Sequence, residues 1–210
     1  MTMTRAKFIT LEGSEGVGKS TQCALLASAI VEELGQALCT TREPGGTALG
    51  ESIRSMLLDT SLPPMDAMTE VLLMFAARAE HLDKVIQPAL NARQWVLCDR
   101  FTDASYAYQG GGRGLGADAI AVLENLVQNE LRPDLTIILD LDVEVAFSRI
   151  EARTQADRFE LEKREFFKIV RQTYLERAER FPDRIVIVDA AASVQQVHLE
   201  VLDTVRKRLL

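Results

Sequence analysis

The stretch ITLEGSEGVGKSTQ, Ile9–Gln22, decides the fold, because an apolar run typical of a strand leads into a glycine-rich loop and then into a helical pattern. Gly13 is separated by four residues from Gly18, Lys19 and Ser20, which matches the pattern G-x-x-x-x-G-K-[ST] of a phosphate-binding loop, or P-loop. Glycines let such a loop turn its N–H groups toward one point, and the helix that follows adds its positive dipole end. The spacing therefore predicts a site for a nucleoside triphosphate.

The residues of the P-loop have distinct predicted roles. Lys19 carries a mobile charge suited to the β and γ phosphates, and the hydroxyl of Ser20 is suited to a Mg²⁺ ion. Asp99 ends a later apolar run and is suited to hold the same ion, directly or through water. The loop also contains one acid, Glu15, although it is expected to hold anions. The predicted ATP-binding residues of the loop are Gly13, Ser14, Glu15, Gly16, Val17, Gly18, Lys19, Ser20 and Thr21.

The composition is that of a globular protein with one core. The chain has 210 residues, of which 47% are hydrophobic and 26% charged, so we expect one domain spanning residues 1–210. A formal net charge of −7 argues against nucleic-acid or membrane-surface binding, which needs a basic face. No secretory segment precedes Lys7 and no apolar run reaches membrane length, so a cytoplasmic protein is expected. Cys23, Cys39 and Cys98 lack metal-ligand spacing and are expected to be buried as small apolar residues.

Short apolar runs alternate with helical patterns along the chain, which predicts an α/β fold with a parallel sheet. Several of the runs end in a polar residue, as expected at the carboxyl edge of such a sheet, where ligands bind. The predicted strands are Lys7–Glu12, Ala37–Thr41, Trp95–Asp99, Leu135–Asp140 and Ile185–Asp189. The predicted helices are Lys19–Leu34, Thr47–Leu58, Ala67–Asn91, Ala117–Asn129, Val143–Arg153, Glu162–Arg180 and Val194–Leu209.

Two arginines follow predicted strands at the same edge of the sheet as the P-loop. Arg42 stands in TTREPGGT and Arg100 in WVLCDRF. Either one alone could be a surface ion-pair residue, but guanidinium groups bind phosphate oxygens bidentately, and two beside a triphosphate site indicate a second phosphorylated substrate. GTPase switches, ATP-driven machines and small-molecule kinases all carry P-loops, and the two arginines favour the last of these classes.

A further set of arginines lies in SRIEARTQADRFE. Arg149 and Arg153 share a helix face, and Arg158 follows in a segment without strong apolar periodicity. A mobile basic lid over roughly residues 150–160 would neutralise the γ-phosphoryl oxygens and exclude water as it closes. The alternative interpretation of these arginines is a solvated, charged end of a helix.

The segments EGSEGVGKS, TREPGGT, LLMFAARAEH, DRFTDASYAYQGGGRG and DRFE together resemble the bacterial thymidylate kinases, over nearly the whole chain. The resemblance implies a P-loop nucleoside monophosphate kinase fold, in which helices and a short lid surround a five-stranded parallel sheet. It implies phosphate transfer from Mg·ATP to dTMP, usually by a homodimer. Some family members carry a basic residue inside the P-loop and others carry the catalytic arginine in the lid; Ser14, Glu15 and Val17 make this chain similar to the second group.

The resemblance also implies roles for the residues that would bind dTMP. Glu15 is expected near the sugar 3′-hydroxyl, where it would orient Arg42 or Arg100. Phe75 would stack on the thymine, Arg78 and Ser105 would bond its edge with Gln109 close by, and Tyr108 would crowd the 2′ position of the sugar. Without the resemblance, Phe75 in LLMFAA would be interpreted as a core residue.

The expected mechanism is positioning and charge stabilisation, since the attacking phosphate oxygen is already anionic and needs no general base. The predicted catalytic residues are Lys19, Arg100, Arg153 and Arg158, and Arg149 is predicted to bind ATP. Two alternatives remain open: a kinase for another monophosphate or nucleoside, and a regulatory nucleotide-binding protein without activity. Nothing in the sequence assigns a role to His81 or His198, which lack neighbours typical of a metal site or a nucleophile.

Overall fold

The computed structural model describes residues 6–151 and 158–210, without the side chains of residues 150 and 151. Within these ranges, five strands form one parallel sheet in the order β2-β3-β1-β4-β5. The strands are β1 Phe8–Glu12, β2 Leu38–Arg42, β3 Trp95–Asp99, β4 Leu135–Asp140 and β5 Ile185–Asp189. The predicted α/β architecture is therefore confirmed, and each strand boundary lies within one residue of its predicted position.

Helices cover both faces of this sheet. They are α1 Lys19–Glu32, α2 Ala48–Leu58, α3 Ala67–His81, α4 Gln87–Asn91, α5 Thr102–Ser105, α6 Ala117–Gln128, α7 Val143–Glu151, α8 Arg164–Arg180 and α9 Val194–Leu209. Two π-helical segments, Leu82–Ile86 and Tyr106–Gly112, continue α3 and α5. No helix of the described ranges combines the length and apolarity that crossing a membrane requires.

The ends of several helices follow from local capping. Thr47 was predicted to be helical but is the residue before α2, where its hydroxyl accepts from Gly50 N at 2.9 Å. Asp66 caps α3 in the same way, and Ser193 forms a reciprocal capping box with Gln196 at the start of α9. The predicted helix over residues 67–91 is present as α3, a π-helical turn and α4 in succession.

The segment between Thr102 and Gly112 was not predicted to be helical, yet it forms α5 and the following π-helical segment. Its run of glycines suggests a loop by propensity. Close packing against α8 explains the glycines, because a Cβ at Gly111 would collide with Thr173 and a Cβ at Gly112 would collide with Phe166. Tertiary contact thus overrides the local propensity of this segment.

Alternate residues of the central strands pack on opposite faces of the sheet. On one face, Ile9 and Leu11 of β1 pack with α1 and α9 in the largest core cluster. On the other face, Phe8 packs near the turn after α3, and Ile138 packs with aromatic residues of α8. Strands buried on both faces explain the near-continuous apolar runs in the sequence. The three cysteines are unpaired; Cys23 and Cys98 are buried and Cys39 is partly buried.

Candidate active site

A cavity of about 280 Å³ opens at the carboxyl edge of the sheet. Its walls come from the P-loop, the loop after β2, one side of α2 and α3, the segment that follows β3, and Phe159 and Glu160. Crevices at this edge are where open parallel sheets bind ligands. The structure therefore brings the P-loop, the TREPGGT segment and the DRFTDASYAYQ segment into one site.

The P-loop is closed around its lysine. The Lys19 ammonium donates to Ser14 O at 2.7 Å, and the residue is 7% exposed. Burial, followed by the nearby charge of Arg100, lowers the pKa of Lys19. Gly13 has φ 134°, and a Cβ at this position would lie 2.5 Å from Leu139 O, so only glycine fits between the loop and β4. The loop residues that line the cavity are Glu15, Gly16, Gly18, Lys19, Ser20 and Thr21, while Ser14 and Val17 are buried behind it.

Asp99 and Ser20, the two predicted metal ligands, both line the cavity beside Lys19. The Oδ1 atom of Asp99 is buried and has no hydrogen-bond partner in the described part of the chain. A buried carboxylate oxygen without a partner is costly unless a cation or water meets it. The carboxylate and the hydroxyl are oxygen donors of the kind that Mg²⁺ prefers, so the residues present fit this ion.

Glu15 and Arg100 form the ion pair at the centre of the cavity. Arg100 Nη2 lies 2.5 Å from Glu15 Oε1 and 3.0 Å from the Tyr108 hydroxyl, and Arg100 Nη1 donates to Gly13 O at 2.7 Å. Burial alone would raise the pKa of the Glu15 carboxyl, but the charges of Arg100 and Lys19 outweigh burial and hold the pKa at about 2. Glu15 is therefore ionised and holds Arg100 in the cavity wall.

Arg42, the second predicted phosphate clamp, lies at the rim of the same cavity. Its side chain is 52% exposed and pairs with Glu51 of α2 at 2.8 Å. A third arginine, Arg54, also lines the cavity and donates to Pro44 O at 2.9 Å. Sequence reasoning missed Arg54 because an arginine inside an amphipathic helix is usually solvated, although Arg54 lies one turn after the buried Gly50.

Arg78 stands at the far end of the cavity among the residues predicted to bind the base. It is 2% exposed, and its Nη2 donates to the Ser105 hydroxyl at 3.0 Å while its Nε donates to Glu43 at 2.7 Å. Its Nη1 is buried and has no partner within residues 6–151 or 158–210. Tyr108 and Gln109 line the same wall. The predicted base-binding set is thus assembled, apart from Phe75.

Phe75 does not lie in the cavity wall. It is 2% exposed and packs with Val71, Tyr106 and Ile120 in a core cluster, and the cavity-lining residue of α3 is Met74 instead. On a helix, side chains four residues apart point in more similar directions than side chains three apart. Met74, four residues before Arg78, therefore shares the cavity face with Arg78 more closely than Phe75 does. This packing favours a core role for Phe75, and its stacking on the base stays a prediction. The Phe75 ring lies 4.5 Å from the Arg78 guanidinium and supports it from behind.

Two of the predicted lid arginines, Arg149 and Arg158, contact groups outside the P-loop. Arg149 is exposed and reaches Ala190 O, after β5, at 3.5 Å. Arg153 lies outside the described residues. Arg158 donates from Nη2 to Glu70 Oε2 at 2.5 Å and from Nε to Leu57 O at 2.7 Å, so it is anchored where α2 and α3 meet. The Arg158 guanidinium is thus held by a buried carboxylate, which favours an anchoring role; the catalytic role of Arg158 stays a prediction.

The Glu70 carboxylate binds the Arg158 guanidinium, and the sequence did not single out Glu70 as a site residue. Its side chain is fully buried and also accepts from Gln109 Nε2 at 2.8 Å and from Arg113 Nε at 3.2 Å. Glu70 therefore connects Arg158, where the described range 158–210 starts, to Gln109 in the cavity wall. An acid on an amphipathic helix looks solvated in sequence, so no signal in the sequence reveals this contact.

Loss of the Arg158 guanidinium is expected to affect the acceptor side of the site. In Arg158→Ala, Phe159 and Glu160 lose the anchor that holds them in the cavity wall, so we expect KM for the acceptor to rise by about tenfold with kcat changed less than about threefold. Steady-state kinetics at saturating donor measure both constants, with Arg180→Ala on the exposed end of α8 as the control. A hundredfold fall in kcat at unchanged KM would instead support a catalytic role for Arg158.

Glu12, at the end of β1, supports the turn that carries Arg100. It is fully buried, and its two oxygens accept from Phe101 N at 2.7 Å and from the Tyr174 hydroxyl at 2.8 Å. Burial first, and then the charge of Asp103, raises the pKa of Glu12 to about 7, against the lowering by Arg100 and the two hydrogen bonds. Glu12 thus titrates in the folded protein near neutral pH.

The raised pKa of Glu12 predicts a pH dependence of stability. Between pH 4.5 and about 7 the unfolded state binds fewer protons at this site than the folded state, so the free energy of unfolding falls as pH rises through that window. Glu12→Gln keeps a neutral side chain and should remove this fall, gaining on the order of 3 kcal/mol relative to the parent by pH 8. Urea unfolding at pH 4.5, 6 and 8 measures the difference, and the exposed Glu32→Gln serves as the control. A difference that does not change with pH would show that Glu12 is ionised throughout.

Together these features define a class of protein: a P-loop phosphotransferase whose triphosphate loop faces an arginine-lined cavity for a second, anionic substrate. The comparisons with known proteins agree. The family model described as thymidylate kinase matches residues 11–201, and the chain belongs to the thymidylate kinase family.

Curated relatives and a solved structure resemble the chain over nearly all of its length. The thymidylate kinase of Ectopseudomonas mendocina is 57% identical over 194 residues, covering 92% of each chain. That of Nitrosomonas eutropha is 52% identical over 205 residues, covering 98% of this chain and 94% of the relative. The crystal structure of thymidylate kinase from Ehrlichia chaffeensis aligns with a TM-score of 0.79 at 36% identity, covering 96% of this chain and 98% of that chain.

Proposed function

We propose that this protein transfers the γ-phosphoryl group of ATP to dTMP, giving ADP and dTDP, in nucleotide biosynthesis. One observation carries the proposal furthest: the buried Lys19 of the P-loop and the Glu15–Arg100 pair line a single cavity, which Arg78, Ser105 and Gln109 also line. A triphosphate loop, a phosphate clamp and polar groups suited to a base thus share one cavity. Membership of the thymidylate kinase family supports the choice of dTMP as acceptor.

In the proposed reaction an oxygen of the dTMP phosphate attacks the γ-phosphorus, the bond to the β,γ-bridging oxygen breaks, and ADP leaves. Lys19 is held by the loop where it meets the charge that builds up on the transferring group. Arg100, with Arg42 and Arg54 at the cavity wall, would hold the acceptor phosphate. Asp99 and Ser20 would hold Mg²⁺, which supplies charge neutralisation to the donor phosphates when bound. We assign Arg149 and Arg153, rather than Arg158, to the donor side.

Tyr108 and Glu15 would select the sugar. The Tyr108 hydroxyl lies 3.2 Å from Glu15 Oε1 and 3.0 Å from Arg100 Nη2, so the ring is fixed against the cavity. Its edge also packs against Phe159, with ring centroids 5.8 Å apart. A ring held on two sides leaves little room for an added 2′-hydroxyl, which supports a deoxyribose acceptor.

We propose a homodimer as the working form. The exposed apolar side chains Met68 and Leu72 lie one turn apart on α3, and Val122 and Leu126 lie one turn apart on α6, which packs against α3. Val122 and Leu126 are 67% and 74% exposed. Adjacent stripes of this kind typically mark protein interfaces, and a two-fold axis would bury each against its copy.

The dimer has a direct test in the substitution Leu126→Glu. A charge in the middle of the proposed interface is expected to shift the protein from dimer to monomer, because two copies of the carboxylate would face each other near the two-fold axis. Light scattering after size-exclusion chromatography measures the mass. Leu199→Glu, at an exposed leucine on α9, is the matched control, and a dimer that survives Leu126→Glu places the interface elsewhere.

The function itself is tested by coupled ADP release with ATP, Mg²⁺ and a panel of monophosphates. The expected result is that dTMP gives the highest kcat/KM, above dUMP, dCMP and dGMP. Preference for another acceptor would assign the chain to a different monophosphate kinase activity. Binding of ATP without turnover of any acceptor would support a regulatory nucleotide-binding protein instead.

A further inference from the structure

His81 is the last residue of α3, and it is completely buried beside the TREPGG segment. Its Nδ1 lies 2.9 Å from Glu43 Oε1, and its Nε2 lies 2.6 Å from the Thr41 hydroxyl oxygen. A Cβ at Gly46 would lie 2.6 Å from Nε2, so the backbone of the loop also rests on the ring. The imidazole therefore fills the space between α3 and the loop after β2.

The hydrogen bond between His81 and Glu43 places a proton on Nδ1. A carboxylate accepts at both oxygens, so Nδ1 donates to Glu43. Nε2 bonds the Thr41 hydroxyl, which can either donate to it or accept from it. Both ring nitrogens are thus used inside the protein, and neither faces the cavity as an acid or base.

Glu43 transmits the position of His81 to Arg78. One carboxylate oxygen accepts from His81, and the other accepts from Arg78 Nε at 2.7 Å, so the carboxylate is held at both oxygens. Because Glu43 takes only Nε, the two terminal nitrogens of Arg78 remain for other partners. Nη2 donates to Ser105, and Nη1 is the buried donor without a partner in the described ranges.

We propose that His81 is a positioning residue for recognition of the acceptor base. It acts indirectly: His81 fixes the Glu43 carboxylate, and Glu43 in turn fixes the Arg78 guanidinium. The proposal rests on the proposed function, in which the base of dTMP occupies the Arg78 end of the cavity. In this arrangement Arg78 presents only donors, which suit the 4-carbonyl of thymine and reject the 4-amino group of a cytosine. A mobile Arg78 would still be charged but would no longer discriminate sharply.

Two substitutions of His81 separate positioning from packing. His81→Asn keeps an N–H donor at the δ position, where it can still bond Glu43, whereas His81→Leu keeps apolar volume and removes the donor. The acceptors compared are dTMP and 5-methyl-dCMP, whose bases differ at position 4, a carbonyl against an amino group, and at N3, a donor against an acceptor. Each variant is assayed by ADP release at saturating ATP, beside the unchanged protein.

The expected result is a loss of discrimination in His81→Leu. Its ratio of kcat/KM for dTMP over 5-methyl-dCMP should fall by about tenfold or more, through a higher dTMP KM, with kcat changed less than about threefold. His81→Asn should recover most of the ratio. If His81→Leu lowers kcat for both acceptors equally and leaves the ratio unchanged, the residue only supports the fold and the proposal is overturned.

Glu43→Gln provides a second test that does not depend on how well His81→Leu folds. It should lower the same ratio by a similar factor, and adding His81→Asn to it should cause little further loss, because both changes act through one carboxylate. If the two substitutions instead lower the ratio independently, so that their factors multiply, the proposed link from His81 through Glu43 to Arg78 is overturned. Failure of the proposed function is distinguishable, since the unchanged protein would then fail to prefer dTMP in the same assay.

Discussion

Lys19→Ala is expected to lower kcat for ADP release with dTMP by about 10³ while leaving the protein folded. The ammonium is held 2.7 Å from Ser14 O inside the P-loop, where water cannot replace its charge at the transferring phosphoryl group. Removal of one such charge-stabilising group from a preorganised site typically costs 10²–10³ in kcat. Packing of α1 does not use the ammonium, and the desolvated charge, whose pKa burial lowers, contributes little to stability.

The measurement is single-turnover and steady-state ADP release, together with the thermal unfolding midpoint. Lys168→Ala is the matched control, because Lys168 is exposed on α8 and pairs only weakly with Glu165 at 3.3 Å. A folded Lys19→Ala protein with undiminished dTMP-dependent turnover would contradict the assignment of the P-loop as the donor site.

Arg100→Ala is expected to have the other large effect, lowering kcat/KM for dTMP by about 10³ or more. The guanidinium is the centre of a set of contacts with Glu15, Tyr108, Tyr174 and Gly13 O, and it is the group proposed to hold the acceptor phosphate. Its loss removes the phosphate contact and leaves the Glu15 carboxylate partly buried without its main partner. Arg100→Lys should recover little, since one ammonium cannot replace a planar fork.

The double variant Arg100→Ala/Glu15→Gln separates the two consequences. It should regain much of the lost thermal stability, because the unpaired charge is gone, without regaining activity. Arg206→Ala, which breaks the exposed pair with Glu33, is the control and should leave both quantities unchanged. If dTMP binding measured by calorimetry is equally tight in Arg100→Ala, the acceptor phosphate lies elsewhere.

The sheet and the P-loop could be predicted because their sequence signals are local. Strands buried on both faces read as apolar runs that end in a polar residue, and the bounds of β3, β4 and β5 match the predicted ones. The P-loop needs fixed residue types at fixed spacing, so its position followed directly. The bounds of the helix Val194–Leu209 also match, and in the structure a capping box fixes its start.

The parts of the site that were not predicted depend on distant contacts. Arg158 looked like a lid residue, but its guanidinium meets Glu70, which lies 88 positions away in the chain. Met74 and Phe75 are neighbours on α3, and packing with residues distant in the chain, Tyr106 and Ile120, buries Phe75 while Met74 lines the cavity. Glu43 and His81 form a contact between two segments that the sequence leaves unrelated.

The pairing of the cavity arginines has a consequence for how the site attracts its ligands. Arg42 faces Glu51, Arg78 faces Glu43 and Arg100 faces Glu15, so each of these cations already has an anionic neighbour before any ligand arrives. The charges of these three pairs nearly cancel for a ligand that is still far from the site, and the chain as a whole has a formal net charge of −7. An entering phosphate then exchanges partners with these carboxylates and is not drawn in by a positive field. We therefore expect inorganic phosphate to compete weakly, with the nucleoside supplying the selective part of the binding free energy.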